Sequence, residues 1–235
     1  YFFLSNLSLG DICFTSTTIP KMLVNIQTQS QVITYKCCIT QIYFFILFGV
    51  LDDFLQTVMS YDRYLAICQP LRYPMLMTGH LCIGLAASSW LCCFLLTAIT
   101  MALLSRLTFC GPNEIDHFFC DFTPLVHLSC MDTSLTETIS YATSSAVTLI
   151  PFILTTASYS CILAAILRIP SGTGRQKAFS TCSSHLTMVT VFYGTLIATY
   201  LVPSANSSRL WHKGSSLLYT ILTPMFNPII YSLRN

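Results

Sequence analysis

Apolar residues run through this chain in long blocks separated by short polar stretches, the pattern of a helical membrane bundle. A helix rising 1.5 Å per residue needs about 20 mostly apolar residues to cross a 30 Å hydrocarbon core. Six segments meet that length: 1–25, 38–66, 81–104, 137–167, 180–202 and 214–232, here A to F. The C to D connection, 105–136, is long, whereas the D to E connection around 170–174 is short. There are no internal repeats and no low-complexity tracts, so the pattern predicts one all-α integral membrane domain over 1–235, with six transmembrane helices.

Composition agrees. Of 235 residues, 54% are hydrophobic and 9% charged, against roughly a quarter charged in a soluble domain. That excludes a water-soluble globule. Residues 1–9 lack a basic start and continue directly into segment A, so no cleavable signal is expected and the first residue reads as a truncation point. A net charge of +2 points to neither nucleic acid nor an acidic partner.

Charge distribution suggests an orientation. With segment A entering from the cytoplasm, the inner side carries Arg63, Arg72, Arg168, Arg175, Lys177 and Arg234 against Asp62 alone. The outer side carries Lys21, Lys36, Arg106, Arg209 and Lys213, balanced by Glu114, Asp116, Asp121, Asp132 and Glu137. The positive-inside rule favours this arrangement by only six basic residues to five. Cysteines favour it independently. Cys13, Cys82, Cys92, Cys93 and Cys161 sit within apolar blocks and read as small buried hydrophobes. Cys37, Cys38, Cys110, Cys120 and Cys130 fall on the outer side, where an oxidising compartment lets a loop with little core be stapled by disulfides.

Ionisable groups at membrane depth are costly and face a bundle interior, a cavity or a partner. Here they are Asp11, Asp52 and Asp53. On segment B, Phe45, Gly49, Asp52, Gln56, Met59 and Arg63 recur at three- and four-residue steps and share one helix face. The 18 residues from Phe45 to Arg63 span about 27 Å at helical rise. A small molecule near Phe45 can therefore reach a protein docked at Arg63 only through helix movement. A plain inward-facing stripe with satisfied polar groups is the alternative. In segment F, Pro224 and Pro228 interrupt the backbone ladder on either side of Asn227. Asp11, Asp52 and Asn227 are expected either to converge around water or a sodium ion, or to form a purely structural polar cluster. Ser183, Ser184 and His185 are consecutive and no nearby acid completes a triad, so no enzymatic activity is expected.

The run MSYDRYLAIC at 59–68, followed by QPLRY at 69–73, closely resembles the olfactory receptor family of rhodopsin-like G-protein-coupled receptors. Further runs follow in that family's order: LSNLSLGD at 4–11, Ser158-Tyr159, KAFSTCSSHL at 177–186, FYG at 192–194 and PMFNPIIYSLRN at 224–235. The resemblance covers nearly the whole chain. It implies that A to F are the family's second to seventh helices, with the extracellular N-terminus, first helix and most of the C-terminal tail outside this sequence.

It also implies roles. Asp62, Arg63 and Tyr64 match the G-protein coupling motif, which engages once the sixth helix, segment E, swings outward; Tyr159 and Tyr231 match the inner tyrosines that support the opened state. The cysteine pattern implies the bridges Cys38 with Cys120 and Cys110 with Cys130, with Cys37 as the alternative to Cys38. By position, the ligand pocket would include Phe45, Ile46, Gly49, Val50, Thr143, Tyr193, Leu196, Ile197, Tyr200 and Thr220. Such a lining suits a small apolar volatile molecule held mainly by burial, with one or two hydrogen bonds. Ordinary interhelical packing is the alternative for each residue taken singly.

The expected partners are an odorant, a heterotrimeric G protein of the olfactory Gs type that raises cyclic AMP, and the bilayer. The expected place is the plasma membrane of olfactory cilia, as a multi-pass protein. No cofactor is expected apart from sodium at Asp11 and Asp52, and no metal site, since a disulfide-bonded Cys120 in the run HFFCD at 117–121 offers no thiolate.

Departures narrow the reading. Asp52 stands where the family usually has Glu, Phe45 where amine receptors carry an acid, and Ile221 where visual pigments carry the retinal-binding lysine. Of two glycosylation sequons, Asn206-Ser-Ser lies close to the bilayer and Asn6-Leu-Ser lies inside segment A, so neither is expected to be occupied. The rival classes are a transporter or channel, which the missing repeats and the Asp62-Arg63-Tyr64 motif oppose, and a partial gene or pseudogene product that does not signal.

Overall fold

A computed structural model describes residues 2–29, 32–110, 114–115 and 118–196, together with Gly214, Thr220 and Pro224. Among the described residues, the named helices are, in chain order, α1 (Phe2–Thr28), α2 (Tyr35–Cys68), α3 (Tyr73–Leu76), α4 (Gly79–Leu104), α5 (Phe122–Val126), α6 (Ser134–Leu167) and α7 (Gly172–Leu196). Segments A to E correspond to α1, α2, α4, α6 and α7. The rest of segment F lies outside the described residues.

Among the described residues, α2, α4 and α6 are long and apolar enough to cross a membrane. The other two long helices have the length but are less apolar. In α1, Asn6, Asp11, Thr18 and Lys21 interrupt the apolar run, and α7 opens on the polar stretch GTGRQK. That opening corrects the expected start at 180. Hydropathy locates the part of a helix inside the bilayer, whereas the backbone ladder of α7 begins two turns earlier at Gly172, near where the Ser171 hydroxyl accepts the Gly174 N–H at 3.2 Å.

The 34 residues of α2 span about 51 Å, more than the hydrocarbon core, so its ends reach both interfaces. Thr34 starts it, its hydroxyl accepting the Cys37 N–H at 3.3 Å. Gln69 ends it, and the following Pro70 disfavours further helix. This helix is the hub of the bundle, packing against α1, α4, α6 and α7, with Leu51 and Leu55 completely buried.

The outer helices α4 and α6 both turn large apolar residues outward, and α4 turns small or polar ones inward. On α4, Ala86, Ser89, Cys93 and Thr97 are buried at helical spacing, while Leu91, Phe94, Leu95 and Ile99 are exposed. On α6, Thr155, Tyr159, Ile162 and Ile166 face the bundle, while Leu149, Ile150, Ile153 and Leu154 face out. Lipid tails solvate leucine as well as a protein core does, so on α4 close approach of backbones through small residues decides the interface. Pro151 within α6 removes one ladder hydrogen bond.

The 105–136 connection is not plain loop. It holds the short helix α5 and an isolated antiparallel bridge between Phe109 and Ser129. Disulfides join Cys38 to Cys120 and Cys110 to Cys130, with Cα atoms 5.4 and 5.8 Å apart. Cys37 is free and exposed.

Candidate functional site: one face of the central helix

The face of α2 foreseen from sequence passes through three chemically distinct levels. At the outer level, Phe45 stacks on Phe14 of α1, ring centroids 5.0 Å apart, and packs at 4.9 Å against Phe119 from the loop. Offset aromatic pairs of this kind add about 0.5–1.5 kcal/mol to burial alone. Gln41, one turn earlier and buried, ties three elements together: its amide N–H donates to the Thr17 carbonyl at 3.0 Å and its amide oxygen accepts the Cys120 N–H at 2.9 Å. A link between helix and loop disulfide is thereby added that nothing in the local sequence announces.

The expected pocket residues divide. Phe45, Val50, Tyr193 and Leu196 join one core cluster. Ile46 packs instead with the cluster around Cys38 and Cys120, because one step along a helix turns a side chain by about 100°. Gly49 and Thr143 are half-buried, and Thr220 is buried. Ile197 and Tyr200 lie outside the described residues. Tyr193 meets Phe152 of α6 edge to face at 5.2 Å.

The middle level is polar and closed to solvent. Asp52, Asp53 and Gln56 are buried on α2, and Thr97 of α4 and Thr155 of α6 are buried as well. The acidic side chains of Asp11 and Asp53 are the neighbours of Asp52. Gly10 lets the Asp52 carboxylate lie against α1, since a Cβ there would stand 3.3 Å from its Oδ1. The Tyr193 hydroxyl is directed to the region of Asp53, Thr57 and Thr155. A part for Asp53 was not assigned from sequence. Its signal there was the doubled acid, which puts one carboxylate toward α1 and the other toward α6 and α7. Asn227 lies outside the described residues, and among the described residues no three His, Cys, Asp or Glu side chains gather as a metal site.

At the inner level, Arg63 is exposed and Tyr64 half-buried, its hydroxyl accepting the Gln69 amide at 3.4 Å. The Asp62 carboxylate accepts the hydroxyl of Tyr73 in α3 at 2.9 Å. Partial burial, and then this hydrogen bond to a carboxylate, hold the Tyr73 proton more firmly than usual. Tyr159 of α6 hydrogen-bonds through its hydroxyl to Nδ1 of buried His185 on α7, the two rings stacked at 5.6 Å. Arg63 is the charged neighbour of that histidine. His185 is thus an inter-helix contact, a part its sequence neighbours Ser183 and Ser184 did not suggest. Tyr231 lies outside the described residues.

The sequon asparagine Asn6 is engaged inside the bundle, its side-chain oxygen accepting the Trp90 indole N–H at 3.3 Å. Away from the membrane, Asp132 precedes Thr133, the N-cap of α6, and bonds to Ser134 at its first turn. Its carboxylate accepts the Ser134 hydroxyl at 2.6 Å and backbone N–H at 3.0 Å, which lowers its pKa below the ordinary carboxylate value.

Comparison with known proteins fits this arrangement. The olfactory receptor family model matches residues 1–235. Olfactory receptor 1M1 of Mus musculus is 50% identical over 235 residues, covering 100% of this chain and 75% of that protein. Olfactory receptor 1E2 of Gorilla gorilla gorilla is 50% identical and olfactory receptor 1M1 of Homo sapiens 48%, each over the same 100% and 75%. With the family model matching the whole chain and relatives about half identical over all of it, this chain belongs to the olfactory receptor family, multi-pass plasma-membrane receptors that are not enzymes.

Proposed function

We propose that the receptor binds a small, mainly apolar volatile molecule between the outer halves of α2, α6 and α7, and thereby activates a heterotrimeric G protein of the type that raises cyclic AMP. The observation that carries this reading is the inward face of α2, which runs from buried Phe45 through buried Asp52 and Gln56 to exposed Arg63. Ligand and G protein would stand about 27 Å apart on it, so the message is a helix displacement rather than a shared contact.

The inner surface supports docking of a protein. Beside the α2 terminus, Leu71 is 92% exposed, an apolar side chain presented among polar neighbours, with Arg63 and Arg72 supplying positive charge nearby. The cilia of olfactory neurons are the membrane in which an airborne ligand would be met.

Arg63→Ala tests the coupling end. In cells expressing the receptor and an olfactory G protein, the substitution should abolish odorant-evoked cyclic AMP while surface level, measured by antibody on intact cells, stays similar. An unchanged cyclic AMP response would show that the coupling end is elsewhere.

A further inference from the structure

A groove of about 770 Å³ lies between the outer ends of α2 and α4, and it includes none of the residues assigned to the odorant pocket. Lys36 and Ser105 stand at its outer rim, with Ile39, Tyr43, Ala98 and Met101 below them. Ile39 and Tyr43 are one turn apart on α2, as Ala98 and Met101 nearly are on α4, so the walls are two apolar strips running inward from the interface. Ala98 contributes only a methyl and is exposed beside Leu95 and Ile99, which mark the bilayer face of α4.

Two observations determine what fits. From Lys36 to Tyr43 is seven residues, about 10.5 Å of helix, or roughly two-thirds of one 15 Å hydrocarbon leaflet. The groove therefore follows an acyl chain from its headgroup inward. At the rim, the Lys36 ammonium has no hydrogen bond or ion pair among the described residues, and no lining residue is acidic. A lysine at this height extends its ammonium to the headgroup layer, where phosphate is the available counter-charge. A groove left empty beside the bilayer would forfeit dispersion contacts along its length. A sterol would fill the apolar part, but its single hydroxyl would leave the cation unmatched.

We infer that this groove is a binding site for one outer-leaflet glycerophospholipid, its phosphate on Lys36 and one acyl chain along Ile39, Tyr43, Ala98 and Met101. Such a lipid would brace α4 against the outer end of α2, on the side away from the odorant pocket.

Native mass spectrometry of the detergent-solubilised receptor, offered equal amounts of dioleoyl phosphatidylglycerol and cholesterol, tests this directly. One retained phospholipid is expected. Lys36→Glu should lower its retention about fivefold or more, the effect of removing one basic residue from an anionic headgroup. Ala98→Phe, which fills the groove at unchanged charge, should lower it as well, whereas Leu91→Phe, exposed on α4 outside the groove, should not. Equal retention by all four proteins, or retention of cholesterol instead, overturns the assignment. Independently of any variant, a phospholipid with a photoreactive acyl chain should label peptides containing Tyr43 or Met101 in the unmodified receptor. Labelling confined to other helices overturns it too.

Discussion

The two ends of α2 are held in opposite ways. Its outer end is fastened by a disulfide to the loop, by Gln41 to α1 and to that loop, and by aromatic stacking on both sides of Phe45. Its inner end packs through Met59, Ile67 and Cys68 in the core cluster but carries no covalent link, its side-chain hydrogen bonds being Asp62 with Tyr73 and, at its own cap, Tyr64 with Gln69, while the neighbouring helices α6 and α7 meet through Tyr159 and His185. A covalent link and a buried aromatic cluster do not exchange partners, whereas single hydrogen bonds do so at a cost of about a kcal/mol each. The outer end, where we propose that the ligand binds, is thus fastened by contacts that do not exchange, and the inner end, where we propose that the G protein docks, by contacts that exchange more readily.

Three substitutions would break or sharpen that contrast. Cys120→Ser should have the largest effect, about 2–5 kcal/mol of lost stability from opening an 82-residue closure. It would appear as a strong fall in surface receptor by flow cytometry. Normal surface level with normal odorant response would mean that the outer end is not held covalently in any way that matters. Gln41→Ala comes next, at about 1–3 kcal/mol, because it strands the buried Cys120 N–H. The midpoint of thermal unfolding of purified receptor should fall, and an unchanged midpoint would remove Gln41 from the account.

His185→Ala should act in the other direction and at the other end. Losing the contact between Tyr159 and α7 weakens the resting bundle by about 1 kcal/mol, roughly a fivefold shift toward the open state. The expected result is raised cyclic AMP without odorant, at similar surface level. Basal activity at or below that of the unmodified receptor would show that the contact does not hold the resting state.

Much of the architecture was legible because the bilayer imposes a length and a polarity on any helix that crosses it. Segments C and D agree with α4 and α6 to within a few residues, since each contains an apolar block of bilayer length. Segment E was read eight residues short at its start, because the polar opening of α7 is helix without being membrane. The loop was foreseen as stapled, but its short helix was not. Five residues of α5, begun by Asp121, whose carboxylate accepts the Phe122 N–H at 2.7 Å, carry too little periodicity to register. Gln41 and His185 were equally silent, for each depends on a partner from a distant part of the chain.

What the sequence determined by itself was the class of molecule: apolar blocks of bilayer length, an inward face on segment B, and motifs in this receptor family's order. Tertiary structure decided how that face is divided. It turned Ile46 to the disulfide cluster and Phe45 to the aromatic core, separated the two adjacent aspartates between different helix neighbours, and joined Tyr159 to His185. The physical reason is that periodicity specifies which side of a helix faces inward, whereas a hydrogen bond or ring contact is specified only when the partner helix arrives with its own rotation and height.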